Sequence, residues 1–213
     1  MILALDCSLL WTAVSVFDEG LVLSAEQLNI GRRQAMELPS IVERTLAGAR
    51  RTFDDTGLVA VTNGPGYFTG IRIGVSYAAA LAFGLGVKVV AVSALHALAY
   101  PHISRPGVLA VVYAGRGFVY AASFGCDADN LPSGEYQGND LEAWLSRHKD
   151  VTVLSDDPSK LADTLPLFSR LPDVRQALPD ASNAASIAWR NRDIAVHPTE
   201  VRVSYHRAPQ IGR

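Results

Sequence analysis

The sequence predicts an α/β protein of two lobes, each a mixed sheet with flanking helices. Three observations carry this reading. The first hundred residues run strand, strand, strand, helix, strand, helix, strand, helix, an order that suits a mixed sheet covered by helices. Pro101 to Gly107 then reads as a linker, with two prolines, a glycine and no periodicity. Strand and helix signals resume after it, shorter and less regular. The expected lobes are residues 1–104 and 105–213.

Each element has its own signal. Ile2 to Asp6 is a short apolar run ending in a carboxylate. Trp11 to Phe17 and Leu21 to Leu28 flank Asp18-Glu19-Gly20, a hairpin turn. Ala35, Leu38, Ile41, Val42, Thr45 and Leu46 make an apolar stripe near the 3.6 period, so residues 33–50 read as helix. Pro39 inside that stripe predicts a kink or a late start. Leu58 to Thr62 and Val87 to Val92 are buried strands, and Ser93 caps a further helix. In the second half, Val108 to Tyr113 and Phe118 to Phe124 pair around Gly115-Arg116-Gly117. Asp127 to Gly134 is polar and turn-rich. Asp140 to His148 reads as a helix capped by Asn139 or Asp140, followed by a strand at Val151 to Leu154. Ser159 to Leu165 and Ala181 to Arg190 complete the helices.

Composition narrows the function. The chain has 213 residues, 49% hydrophobic, enough for a core without staples. A net charge of −2 argues against a free-standing nucleic-acid binder. Cys7 and Cys126 are far apart with no metal-ligand spacing, which favours unpaired thiols in a reducing, cytoplasmic setting. The opening Met1 to Asp6 has no basic stretch, so no signal peptide is expected. The apolar region Ile73 to Tyr100 is broken by Gly84, Gly86, Lys88 and His96. Its uncharged part, Ile73 to Val87, is shorter than the ~20 residues that span a bilayer.

The stretch that organises the chain is Asn63-Gly64-Pro65-Gly66-Tyr67-Phe68-Thr69-Gly70-Ile71-Arg72-Ile73-Gly74. It joins a strand to an Ala-rich helix read from Val75 to Leu85, with Thr69 as its candidate N-cap. Gly70, Gly74, Ala78 and Ala82 recur every four residues and form one face of small side chains. Two helical glycines cost about 1 kcal/mol each against Ala, so close packing must offset them. Three packing partners are open: a neighbour inside the fold, a phosphate under the helix N-terminus, or a helix of another chain. The stretch has no Gly-Lys-Ser/Thr ending and does not match a dinucleotide fingerprint.

Gly64, Pro65, Gly66, Phe68, Thr69, Gly70, Arg72 and Gly74 match the signature G-P-G-S-F-T-G-x-R-x-G, with Tyr67 in place of Ser. This resembles the TsaB (YeaZ) family, in the glycoprotease-like branch of the actin/hexokinase/Hsp70 ATPase superfamily. Met1 to Ser8 resembles that family's opening I-L-A-I-D-T-S, and Tyr205 to Pro209 its closing Y-L-R-A-P. Tyr113 to Tyr120 resembles D-A-R-R-G-E-V-Y, with departures at Tyr113, Gly115 and Phe118. The resemblance implies two actin-like ATPase (ribonuclease H-like) lobes.

The resemblance also implies a non-catalytic subunit. Catalytic relatives carry a His-x-x-x-His metal pair, and Ala94 and Leu98 stand at those positions here. Many relatives have His where Arg33 or Gln34 stands. No catalytic residue and no metal site are expected, nor any cofactor bound tightly by this chain. The implied partner is TsaD as a heterodimer, with the ATPase TsaE completing the complex and TsaC supplying the donor. ATP and a metal belong to the partner complex, tRNA is met only through it, and a homodimer through the same self-complementary face is an open alternative when the partner is absent. Thr69, Gly70, Arg72, Gly74 and Ala78 are then the expected partner interface, and Gly74→Leu is expected to break pairing in a folded monomer. Asp6, Ser8, Gly64 and Gly66 are candidate nucleotide-side residues, a turn carboxylate and hydroxyl beside a glycine loop; shaping the hairpin entry is the other reading. The alternative function is an autonomous actin-fold phosphotransferase or a glycoprotease-like hydrolase.

Overall fold

A computed structural model describes residues 1–103, 106–126 and 129–206. The chain divides into two compact units. The first is Met1–Leu98 with Leu178–Val203. The second is Ala99–Ala177 with, among the described residues, 204–206.

In the first unit, β1 (Ile2–Asp6), β2 (Trp11–Asp18) and β3 (Leu21–Asn29) run antiparallel. β4 (Leu58–Thr62) pairs parallel to β1, and β5 (Lys88–Val92) parallel to β4. The sheet order is β3-β2-β1-β4-β5. β1 lies at the centre and reads as a continuous apolar run because both its faces are covered. Helix α1 (Gln34–Gly48) joins β3 to β4 and buries Leu38, Ile41, Val42, Thr45 and Leu46 of the stripe predicted above, while Ala35, its first member, is exposed. It begins at Gln34 and runs through Pro39, which is exposed, so no late start occurs. Helix α2 (Phe68–Leu85) joins β4 to β5, and α3 (Ala94–Ala99) follows β5.

α2 begins earlier than the sequence predicts, and Thr69 is not its cap. Tyr67 is the N-cap, extended and without a side-chain capping bond, and its N–H donates to the Ser8 carbonyl. At the other end Gly86 adopts φ +67 and its N–H reaches back to the Ala82 and Phe83 carbonyls. α2 is long and apolar enough to cross a membrane by length and composition. In the fold its small-residue face packs on β1 and β4 instead.

The second unit repeats the strand order. β6 (Val108–Gly115), β7 (Phe118–Phe124) and β8 (Gly134–Gln137) are antiparallel; β9 (Thr152–Ser155) pairs parallel to β6, and β10 (Val174–Gln176) parallel to β9. The order β10-β9-β6-β7-β8 places the first strand centrally, with the fourth and fifth on one side. β8 and β10 were not foreseen. Helix α4 (Gly138–Leu145) is capped by Gln137, with Asp140 at its third position accepting from the Gln137 N–H at 3.1 Å. Neither Asn139 nor Asp140 is the cap. Helix α5 (Pro158–Thr164) is capped by Asp157.

The expected division into 1–104 and 105–213 is corrected at its C-terminal side. Helix α6 (Ala181–Arg190) returns to the first sheet. It buries Ala181, Ala184, Ala185, Ile187 and Ala188 there, and Ser182 donates to Ser15 at 3.1 Å. Small side chains on one helix face let it lie close to the sheet. The 104/105 boundary itself, residues 127 and 128, and the Arg207-Ala208-Pro209 part of the closing motif lie outside the described residues.

Candidate functional site

Asp6 ends β1, and its carboxylate organises the turn that follows. Its Oδ1 accepts from the Ser8 N–H at 2.9 Å, the Ser8 hydroxyl at 2.6 Å and the Thr62 hydroxyl at 2.7 Å. Asp6 is 2% exposed. Burial pushes its carboxyl above the ordinary carboxylate range, against the opposing pull of those bonds. Thus Asp6 joins the β1 turn to the end of β4, and Ser8 is enclosed with it.

The glycine loop lies over this turn. Gly66 has φ +158, and a β-carbon there would collide with the Ser8 carbonyl oxygen. That oxygen accepts from Tyr67 N–H at 2.7 Å. The Gly64 carbonyl accepts from Ala94 N–H at 2.8 Å, tying the loop to the start of α3. The candidate nucleotide-side residues therefore make one internal clasp: Asp6 and Ser8 below, Gly64 and Gly66 above.

The small-residue row requires a correction. Gly70, Gly74, Ala78 and Ala82 are buried within the first unit. A β-carbon on Gly70 would collide with the Cys7 carbonyl, and one on Gly74 would lie 3.2 Å from Cys7 Cβ. The close neighbour is the protein's own β1 turn, so Gly74 and Ala78 are covered within the fold and present no docking face, while Gly70 packs on Cys7 and opens only onto the groove described next. The central strand ends beside α2, and only small residues allow that approach. Cys7, enclosed at this contact, has its thiol pushed up by burial and by Asp6. Of the expected interface, Thr69 and Arg72 are exposed.

The outward side of α2 shows what the sequence did not signal. Leu9, Leu10, Gly31, Arg32, Tyr67, Phe68, Thr69, Gly70 and Ile73 line a groove of about 600 Å³ between α2 and the start of α1. Gln34 lies at its base, buried, and donates to the Leu9 carbonyl at 3.0 Å, Thr12 Oγ1 at 3.0 Å and the Cys7 carbonyl at 3.4 Å. Leu10 is 46% exposed and Phe68 41%. The Arg72 guanidinium stacks 4.0 Å from the Phe68 ring centroid. Met36, on the first turn of α1, is 70% exposed. Among the described residues no three His, Cys, Asp or Glu side chains converge as a metal site would need.

Two sheets of like strand order, each with covering helices, define a protein of the actin-like ATPase fold. An activator of 2-hydroxyisocaproyl-CoA dehydratase from Clostridium difficile shares this fold at TM-score 0.55 and 10% identity, over 90% of this chain and 95% of that one. More specifically, residues 29–132 match the family model described as TsaD, tRNA N6-adenosine threonylcarbamoyltransferase. YeaZ from Pseudomonas aeruginosa superposes at TM-score 0.80 with 25% identity, covering 96% of this chain and 98% of that one. The tRNA threonylcarbamoyladenosine biosynthesis protein TsaB of Buchnera aphidicola is 29% identical over 72% of this chain and 68% of its own length. TsaB of Escherichia coli is 31% identical over 63% of this chain and 59% of its own length. In sequence and in fold the chain is thus similar to the TsaB (YeaZ) proteins.

Proposed function

We propose that this chain serves tRNA threonylcarbamoyladenosine biosynthesis as a non-catalytic subunit that binds and activates a TsaD threonylcarbamoyltransferase. TsaE joins the complex, and tRNA is reached through it. The names of the TsaB relatives support the pathway. The observation that carries the binding role is the groove beside Phe68, an apolar surface with Leu10 and Phe68 open to solvent. Exposed aromatic and aliphatic side chains around a concavity favour association by removing apolar area from water. Thr69 and Arg72 stay in this interface as polar contacts, while Gly70, Gly74 and Ala78 support it from beneath. The enclosed Asp6 turn supports a subunit that leaves ATP and metal to its partner. In the absence of TsaD the same apolar face would pair two copies of the chain.

Phe68→Glu and Leu10→Glu test this. Titration calorimetry against purified TsaD should show at least about tenfold weaker binding for each, with unchanged circular dichroism. Wild-type affinity in both variants would remove the groove from the interface. Failure of the wild-type chain to raise tRNA modification by TsaD with TsaE and ATP would sink the functional reading itself.

A further inference from the structure

The second unit carries a groove that the proposed function does not use. Three cavities of about 340, 240 and 290 Å³ follow one another along α4. They are continuous: Glu142, Leu167 and Arg170 line both the first and the second, and Leu145 and Leu171 both the second and the third. α4 and the residues just after it form one wall, and the Leu165–Pro172 stretch forms the other. Leu145 is buried and Leu165, Leu167 and Leu171 are partly buried against the core, so the floor of the second and third cavities is apolar and firmly held, while Gln137, Asn139 and Glu142 make the first more polar. Two exposed cations stand on the rim, Arg170 and Lys149, neither with an ion-pair partner among the described residues. Glu142 is the acid among the lining residues.

We propose that this groove binds an extended segment of a partner protein whose large apolar side chains alternate with carboxylates. Charge complementarity selects the carboxylates: the rim's cations outnumber its acid and lack internal partners. Spacing selects the alternation. The second cavity is lined by Glu142 and Leu145 of α4 and the third by Leu145, His148 and Lys149 at and just after its end, a step of about one turn, roughly 5–6 Å. Alternate residues on one face of an extended chain lie about 6.6 Å apart. Two successive apolar side chains thus enter the second and third cavities, and the carboxylates beside them, on the outer face of the segment, are met at the rim by Arg170 and Lys149.

The probe is the acetylated peptide amide Glu-Leu-Glu-Leu-Glu-Leu-Glu, titrated into the full chain with methyl groups observed by NMR. Saturable shifts are expected at Leu145, Leu167 and Leu171. The peptide with Lys in place of each Glu should bind far more weakly. The double variant Lys149→Glu, Arg170→Glu changes exposed side chains only and should lose about tenfold in affinity. The proposal is overturned by the absence of saturable shifts, or by shifts at Leu10 and Ile73 of the first unit instead. Equal binding of the Lys peptide, or wild-type affinity in the double variant, overturns it as well.

Discussion

The Cys7 carbonyl oxygen occupies the space that a β-carbon on Gly70 would need. One contact of this kind explains why a helix at the heart of the first unit tolerates glycines. The obstructing atom is backbone at the end of the central strand, so it cannot move aside as a flexible side chain would.

Gly70→Ala should therefore destabilise the protein by about 3 kcal/mol or more through overpacking. Gly74→Leu should do the same against Cys7 Cβ and Sγ, which lie 3.2 and 3.5 Å from a β-carbon there. Chemical denaturation should show a lower midpoint for both. A folded Gly74→Leu monomer of wild-type stability would contradict this packing.

Asp6 separates hydrogen bonding from charge. Ser8 N–H, Ser8 Oγ and Thr62 Oγ1 all donate to Oδ1, an acceptor that Asn also offers. Asp6→Asn should keep stability within about 1 kcal/mol at neutral pH, whereas Asp6→Ala should cost about 2–3 kcal/mol by orphaning buried donors. Burial raises the folded carboxyl's pKa, so its contribution is full below the unfolded value and is lost as pH rises through the folded one. Asp6→Asn should flatten that part of the pH–stability curve, which urea titrations at several pH values would record.

In the second unit, burial pushes Asp156, just beyond β9, up to about 6. The folded state holds this proton more tightly than the unfolded chain. Its stabilising contribution, about 2–3 kcal/mol at most, is present below roughly pH 4 and fades as pH rises through about 6. Asp156→Asn should remove this decline. Stability of the variant that still falls between pH 4 and 7 by the wild-type amount would assign the effect elsewhere.

Gln34 holds the β1–β2 turn by donating to two backbone carbonyls and one hydroxyl. Gln34→Leu keeps the side-chain bulk but leaves those acceptors in a buried place, so a loss of about 1–3 kcal/mol is expected. Amide hydrogen exchange should speed up across residues 7–12 first. Unchanged protection there would show that the turn is held by the Asp6 clasp alone.

Much of the architecture was legible from local signals. The Asp18-Glu19-Gly20 turn and the stripe from Leu38 to Leu46 placed β2, β3 and α1 within a residue or two of their observed positions. β8 and β10 were hidden because four and three residues cannot display an alternation. The start of α2 was misplaced because Tyr67 N–H is engaged by Ser8, a residue distant in sequence.

By itself the chain's order of residues determined the two mixed sheets, the need for close packing along Gly70, Gly74, Ala78 and Ala82, and the family signature. Only the tertiary structure decided what that row packs against, that α6 returns to the first sheet, and which side of α2 is open. The reason is physical: periodicity reports that a helix face must be covered, but what covers it depends on which distant backbone the sheet pairing brings there.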